Sequence, residues 1–301
     1  MEGEIVLGAL APHPPHLVYA ENPPENEPNA ECGWEGLRWG YHRLAKKLST
    51  IDYDAIAIFS PHWQTYIGTH FLGVPHFESI SVDPVFPNLF RYSYSIDVDV
   101  GLAEAMAKEA SDAGMVTRMM RNPDFRIDYG TIVSGHTVNP TWSKPIVTIS
   151  SQRSTHYYSA EVMGEQMHEL GQACKRAIKA SGKKVVLLSS NSLSHRHFVT
   201  ESDVPEDMSK EHIYNHSQYL WDMRMIELMR EGRTREMVQL MPEFTEQSIA
   251  ETDAGGLSWL MSALDYPDYG ADVHAYGTVI GTGNAIVEWD PRERSTLQVS
   301  P

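Results

Sequence analysis

A chain of 301 residues, 42% of them hydrophobic, can bury a sizeable core, so its scale is one large α/β domain or two modest ones and disorder is not the default. Lys and Arg total 24 against 40 Asp and Glu, and the formal charge of -16 repels phosphate backbones, which discounts nucleic acid as a partner. The acidic start Met1-Glu2-Gly3-Glu4 is the reverse of a secretory leader and no run approaches the roughly 18 apolar residues of a membrane span. With only Cys32 and Cys174 available there is no disulfide framework, and a cytoplasmic setting without membrane contact is expected.

In chain order, Ile5 to Ala11 reads as a strand buried on both faces and ends in Pro12-His13-Pro14-Pro15-His16. After the Pro-rich loop from Asn22 to Asn29, helical spacing covers Trp34 to Leu48. A second apolar run, Ala55 to Phe59, ends Ser60-Pro61-His62-Trp63. Tyr66 to Tyr94, rich in Pro, Phe and Tyr, predicts short strands or irregular loops, and Val98 to Ala113 a helix. Asp128-Tyr129-Gly130 lies in a loop before the third run, Pro145 to Ile149.

Further helices are expected over Ala160 to Ala180, with Ser159 as its cap, over Lys210 to Arg230 and over Thr234 to Met241. Between the first of these and the second stands the fourth run, Val185 to Leu188, which leads into Ser189-Ser190-Asn191-Ser192-Leu193-Ser194-His195-Arg196-His197. Asp272 to Trp289, with Gly277, Gly281 and Gly283, suggests a closing strand or hairpin, and the residues from Pro291 a tail. The alternation of strands and helices argues an α/β fold, and the absence of repeats or a linker argues a single domain over 1–290 with 291–301 as tail.

Ligands of open parallel sheets collect at the carboxyl ends of the strands, so the Pro-His step repeated after the first two runs brings His13 and His62 to one edge. One histidine alone is more often a satisfied core or surface side chain than a ligand; two in matching places, each after a proline that cannot join a ladder, suit a cleft. His16 could compete as ligand but ranks behind His13. Two imidazoles hold a first-row metal weakly, and a carboxylate would complete the facial triad of Fe(II) enzymes.

Glu251 is the carboxylate chosen. Acids on a helix are usually solvated, but Ala250, Ala254, Gly255 and Gly256 would let this helix end approach other backbone closely. His195, just beyond the fourth run, suits acid–base work because its ordinary pKa of about 6.5 is near working pH; His197 reads as a surface residue.

Pro12-His13, Pro61-His62, the loop from Asn191 to His195 and the late Glu251 resemble the class III extradiol ring-cleavage dioxygenases of catalytic-subunit type, over nearly the whole chain. The resemblance implies a central twisted, mixed β-sheet flanked by helices, Fe(II) held by His13, His62 and Glu251, and His195 as the catalytic, substrate-contacting histidine. Catechol-cleaving relatives often show Asp-His-Gly where this chain has Asp128-Tyr129-Gly130. Tyr129 therefore either contacts substrate, shifting preference away from a catechol, or packs in the core, and nearby His136 could partly compensate for the missing imidazole.

Within the family the chain resembles the aminophenol-cleaving branch. That implies 2-aminophenol and O2 as substrates, 2-aminomuconate semialdehyde as product, and assembly with a homologous non-catalytic alpha subunit as an α2β2 heterotetramer. Cleavage of a catechol or protocatechuate is the alternative. A zinc hydrolase could use the same three ligands, although the chain lacks a His-Glu-x-x-His helix, and a non-catalytic subunit would keep the fold but not these four residues.

Overall fold

The computed structural model describes residues 2–19, 30–84, 87, 90–152, 159–195 and 212–293. Eight strands form one mixed sheet: β1 (Glu4–Leu10), β2 (Ala55–Thr65), β3 (Thr69–Leu72), β6 (Thr117–Met120), β7 (Ile146–Gln152), β8 (Lys184–Ser189), β9 (Asp272–Val279) and β10 (Thr282–Trp289). A separate hairpin pairs β4 (His76–Val82) with β5 (Arg91–Asp97). In the main sheet the order is β6-β3-β7-β2-β8-β1-β10-β9, parallel across β7, β2, β8 and β1 and antiparallel where β3, β10 and β9 join.

The parallel centre follows from its sequence. On β8, Val185 and Leu187 enter one apolar core while Val186 and Leu188 enter the other, and on β2 Ala55, Ala57 and Phe59 alternate in the same way with Ile56 and Ile58. Such strands read as continuous apolar runs because both faces are covered. Helices α2 (Val100–Asp112), α4 (Ala160–Ser181), α5 (His216–Arg230), α7 (Met241–Ser248) and α8 (Gly255–Ala263) supply the first core. Helices α1 (Ala30–Leu48) and α3 (Tyr129–Val138), with the β4-β5 hairpin, supply the second.

Several boundaries differ from the sequence reading. The second strand does not stop at Phe59: its ladder to β7 skips from Ser60 to Gln64, so Pro61, His62 and Trp63 form a bulge and pairing then resumes. The helix expected from Lys210 is described only from His216, behind an Asn215 cap, and the one expected over Thr234 to Met241 is two, α6 (Thr234–Gln239) and α7, broken at Leu240 with Pro242 in the first turn of α7. Asp128-Tyr129-Gly130 is not a loop but the start of α3, with the Asp128 side chain capping it at the Thr131 amide.

The closing hairpin is present, and β10 pairs with β1, so the first and last strands are neighbours. Of the expected tail, Arg292 bonds Asp290 and Glu293 bonds Lys47, whereas 294–301 lie outside the described residues. No helix among the described residues is long and apolar enough to cross a membrane.

Candidate metal centre

The sheet register does the first positioning. Ser189 at the end of β8 is level with Leu10 of β1 on one side and Phe59 of β2 on the other. His13 and His62 each stand three residues beyond that common row, His13 in the segment that follows β1 and His62 within β2, on either side of β8. The loop after β8 runs between them and carries His195.

His13 is 7% exposed, and its Nδ1 is 2.7 Å from the Ser190 carbonyl oxygen. Donation to that carbonyl places the proton on Nδ1 and leaves the Nε2 lone pair for a metal. The Ala11 amide donates to Ser189 O at 2.9 Å, the Ser134 hydroxyl donates to Ala11 O, and the Tyr41 hydroxyl donates to Pro12 O, so the segment before His13 is fixed from three sides. Burial drives the His13 imidazole down to about 4, with the attraction of Glu251 offsetting only part of it, so the ring is neutral at neutral pH.

Glu251 departs from the helical placement expected of it. It opens a 3-10 turn, Glu251–Ala254, between α7 and α8, in which Thr252, Asp253 and Ala254 have φ of 49°, 51° and 56°. Non-glycine residues hold that conformation only under tertiary constraint. Here Asn191 supplies it, donating from Nδ2 to Glu251 O at 3.2 Å and to Thr252 Oγ1 at 3.0 Å.

One oxygen of Glu251, Oε2, accepts from the Ser192 amide at 2.8 Å and its hydroxyl at 3.2 Å. The other, Oε1, faces three imidazoles, 3.5 Å from His13 Nε2, 3.2 Å from His62 Nε2 and 3.7 Å from His195 Nε2. Burial pushes the carboxyl up, but the surrounding histidines outweigh it and hold the group well below the usual carboxylate range.

The small residues near Glu251 have the role expected of them in one case above all. A Cβ on Gly256 would stand 1.8 Å from Asn191 Oδ1 and 2.7 Å from Ser189 Oγ, so only glycine leaves Asn191 its place. Gly256→Ala is expected to cost about 1–3 kcal/mol in stability, as overpacking does. It should also weaken metal binding about 10- to 100-fold, the usual effect of losing an outer support. Denaturant titration and metal titration check both, and unchanged affinity would detach Asn191 from the site.

His62 projects from the bulge. Ser60, one side of the bulge, donates to Asp128 Oδ1 at 2.5 Å and so ties it to the start of α3. A Cβ on Gly130 would meet Ser60 Oγ at 2.8 Å and His62 Cδ2 at 3.4 Å, which explains a glycine inside the first helical turn. Tyr129, beside it, puts its hydroxyl 2.9 Å from His62 Nε2, and its ring centroid is 4.3 Å from that of His62 and 5.4 Å from that of His13. It faces the cluster rather than simply filling the core, and burial with the nearby Asp83, Glu251 and Asp128 keeps its hydroxyl protonated.

The donor atoms of His13, His62 and Glu251 all lie within 4.8 Å of one another, and among the described residues no other His, Cys, Asp or Glu cluster does this. Two imidazole nitrogens and one carboxylate oxygen fit a first-row metal with open positions. His195 stands beside this set at the end of the β8 loop. His136 is turned elsewhere, its Nδ1 2.9 Å from the Tyr92 hydroxyl and its ring against Trp142. The side chain of His16 and all of His197 lie outside the described residues.

Sequence reading missed the supports: Ser190, Asn191 and Ser192 around the cluster and Ser134 behind His13. The one available signal was the hydroxyl-rich run Ser189-Ser190-Asn191-Ser192 directly after a buried strand, where polar groups must find partners.

The family described as the catalytic LigB subunit of aromatic ring-opening dioxygenase matches residues 7–285. The chain is 54% identical over 288 residues to the beta subunit of 2-aminophenol 1,6-dioxygenase from Pseudomonas sp., covering 96% of this chain and 94% of the relative. It is 27% identical over 256 residues to the alpha subunit of 2-aminophenol 1,6-dioxygenase from Pseudomonas sp., covering 85% and 91%. To 3,4-dihydroxyphenylacetate 2,3-dioxygenase of Escherichia coli it is 25% identical over 272 residues, covering 90% and 94%. Among solved structures, an uncharacterized protein from Escherichia coli K12 shares the fold, with a TM-score of 0.59 at 14% identity over 94% of this chain and 99% of the other.

Proposed function

This chain belongs to the family of catalytic LigB subunits of aromatic ring-opening dioxygenases, and on that premise we propose that it opens the ring of 2-aminophenol with O2 at an Fe(II) centre held by His13, His62 and Glu251. It is a ring-cleaving dioxygenase of class III extradiol type. The substrate assignment is carried by likeness to the aminophenol enzyme along almost the entire chain. Both atoms of O2 would enter the product, 2-aminomuconate semialdehyde.

Fe(II) bound by two imidazoles and a carboxylate supplies open coordination positions for aromatic substrate and O2 together with the redox chemistry that O2 requires. The protein groups have separate tasks. His13 and Glu251 present fixed donor atoms because Ser190 and Ser192 engage their far sides. Tyr129 closes the cluster on the His62 side and offers a hydroxyl to the amino or hydroxyl group of the substrate. His195 accepts a substrate proton at Nε2 and returns it later in the reaction.

A homologous alpha subunit as partner, in an α2β2 assembly in the cytoplasm, completes the proposal and is supported by likeness to both subunit types. The zinc hydrolase reading is dropped, since the family is one of dioxygenases. Oxygen uptake by the iron-loaded complex tests the substrate: kcat/KM for 2-aminophenol should exceed that for catechol and protocatechuate. Equal or faster turnover of protocatechuate would move the chain to another branch of the family.

A further inference from the structure

The loop that carries His195 meets Glu251 through Asn191 and Ser192, and on its other side it is held by α5 and the closing hairpin. Ser194, immediately before His195, donates from its amide to Asp222 Oδ1 at 2.9 Å and from its hydroxyl to Asp222 Oδ2 at 2.7 Å. The Tyr276 hydroxyl of β9 donates to the same Oδ2 at 2.8 Å. Asp222 is fully buried in α5, and no Lys, Arg or His pairs with it among the described residues.

One turn earlier on the same face of α5, Gln218 is equally buried and donates from Nε2 to His195 O at 3.2 Å and to Ser248 O at 3.1 Å. The His195 amide itself donates to Ser248 O at 3.1 Å. From the hairpin side, Leu193 N donates to Gly283 O at 2.9 Å and Gly283 N to Ser194 O at 3.1 Å. A Cβ on Gly283 would stand 1.9 Å from Asp222 Oδ2, so the hairpin gives up a side chain to let the carboxylate in.

We propose that Asp222 is the positioning residue of the proton-transfer histidine: its carboxylate, with Gln218 beside it, clamps Ser194 and so fixes where the His195 imidazole stands next to Glu251. A buried carboxylate without a cation is a costly choice for packing alone, since an apolar side chain of similar volume would fill the space. What it offers is two directional acceptors that a rigid loop can dock on. Burial pushes Asp222 up to about 6, against the hydrogen bonds from Ser194 and Tyr276 that lower it, which fits a group held in place for geometry. The proposal rests on the reading of His195 as acid–base group, and its test separates the two.

Asp222→Ala and Asp222→Asn are made in the iron-loaded complex, alone and combined with His195→Ala. Asp222→Ala should lower kcat about 10- to 100-fold, the scale of a small misplacement of a reacting group. Metal content should stay at the wild-type level and KM should change little. Asp222→Asn should restore most of kcat with an unmoved pH profile, because its oxygen still accepts the Ser194 amide and its NH2 can donate to both hydroxyls.

In the His195→Ala background Asp222→Ala should cause no further loss; the same fold-loss in both backgrounds would overturn the proposal. Histidine-selective 15N NMR of the metal-free protein gives a readout independent of turnover. A single set of His195 signals in the wild type and in Asp222→Asn should become several sets, or broaden, in Asp222→Ala. An unaltered single set would sink the clamp whatever the activity, whereas altered signals with full activity in His195→Ala would sink the acid–base role and leave the clamp standing. Should Asp222→Ala not fold, Ser194→Ala removes one contact without opening the core and should show a smaller loss in the same direction.

Discussion

Replacing Glu251 with alanine is expected to give a folded protein that no longer retains iron and shows no ring cleavage above background. The two imidazoles left behind bring no negative charge to a metal, and the carboxylate oxygen that faces both of them is gone. The fall in affinity should exceed the 10- to 100-fold typical of losing an outer support, so more than about 100-fold. Metal analysis after gel filtration measures it, with circular dichroism to establish that α7 and α8 still form. Glu251→Gln should behave like the alanine variant for iron, because an amide preserves the Ser192 contact but not the charge. Retention of one iron per chain in either variant would remove Glu251 from the ligand set and leave the proposed centre without a carboxylate.

The His195→Ala variant should behave in the opposite way, with metal content near one per chain and kcat reduced about 10²- to 10⁴-fold, the range for loss of a general acid–base group. The expectation comes from placement: His195 Nε2 is 3.7 Å from Glu251 Oε1 and arrives from a different strand, while His13, His62 and Glu251 already form a complete donor set. His195→Gln keeps a hydrogen-bonding side chain without a usable proton, so it separates orientation of the substrate from proton transfer. Loss of iron in His195→Ala would make His195 a ligand. Unchanged turnover would make it a bystander.

The legible part of this protein was its parallel centre. The strands β1, β2, β7 and β8 are covered on both faces, so burial leaves a continuous apolar record in the sequence, and whatever follows each record lands at one edge of the sheet. His13, His62 and His195 were expected at that edge on this ground, and the structure brings all three against Glu251 Oε1. Helix α3 was not expected, because Tyr129–Val138 is buried nearly all round and so shows no amphipathic period, carries Gly130 and Gly135, and contains Thr131, Ile132, Val133, Thr137 and Val138, which favour strands. Its identity as a helix is decided by packing and by the Asp128 cap.

Glu251 was chosen for the right neighbourhood and the wrong local structure. Nothing in Thr252-Asp253-Ala254 advertises three successive left-handed residues; the conformation exists because Asn191 and Gly256 meet there in the folded chain. Asp222 had no signal at all, since an acid on an amphipathic helix reads as solvated until the loop it holds is in view.

The interleaving of β8 between β1 and β2 also sets a timetable during synthesis. A ribosome releases His13 and His62 early, but the strand that keeps them in register ends at Ser189, and the carboxylate follows at residue 251. The order of elements therefore means that a donor set of His13, His62 and Glu251 can be complete only once residue 251 has been made and brought beside the two imidazoles.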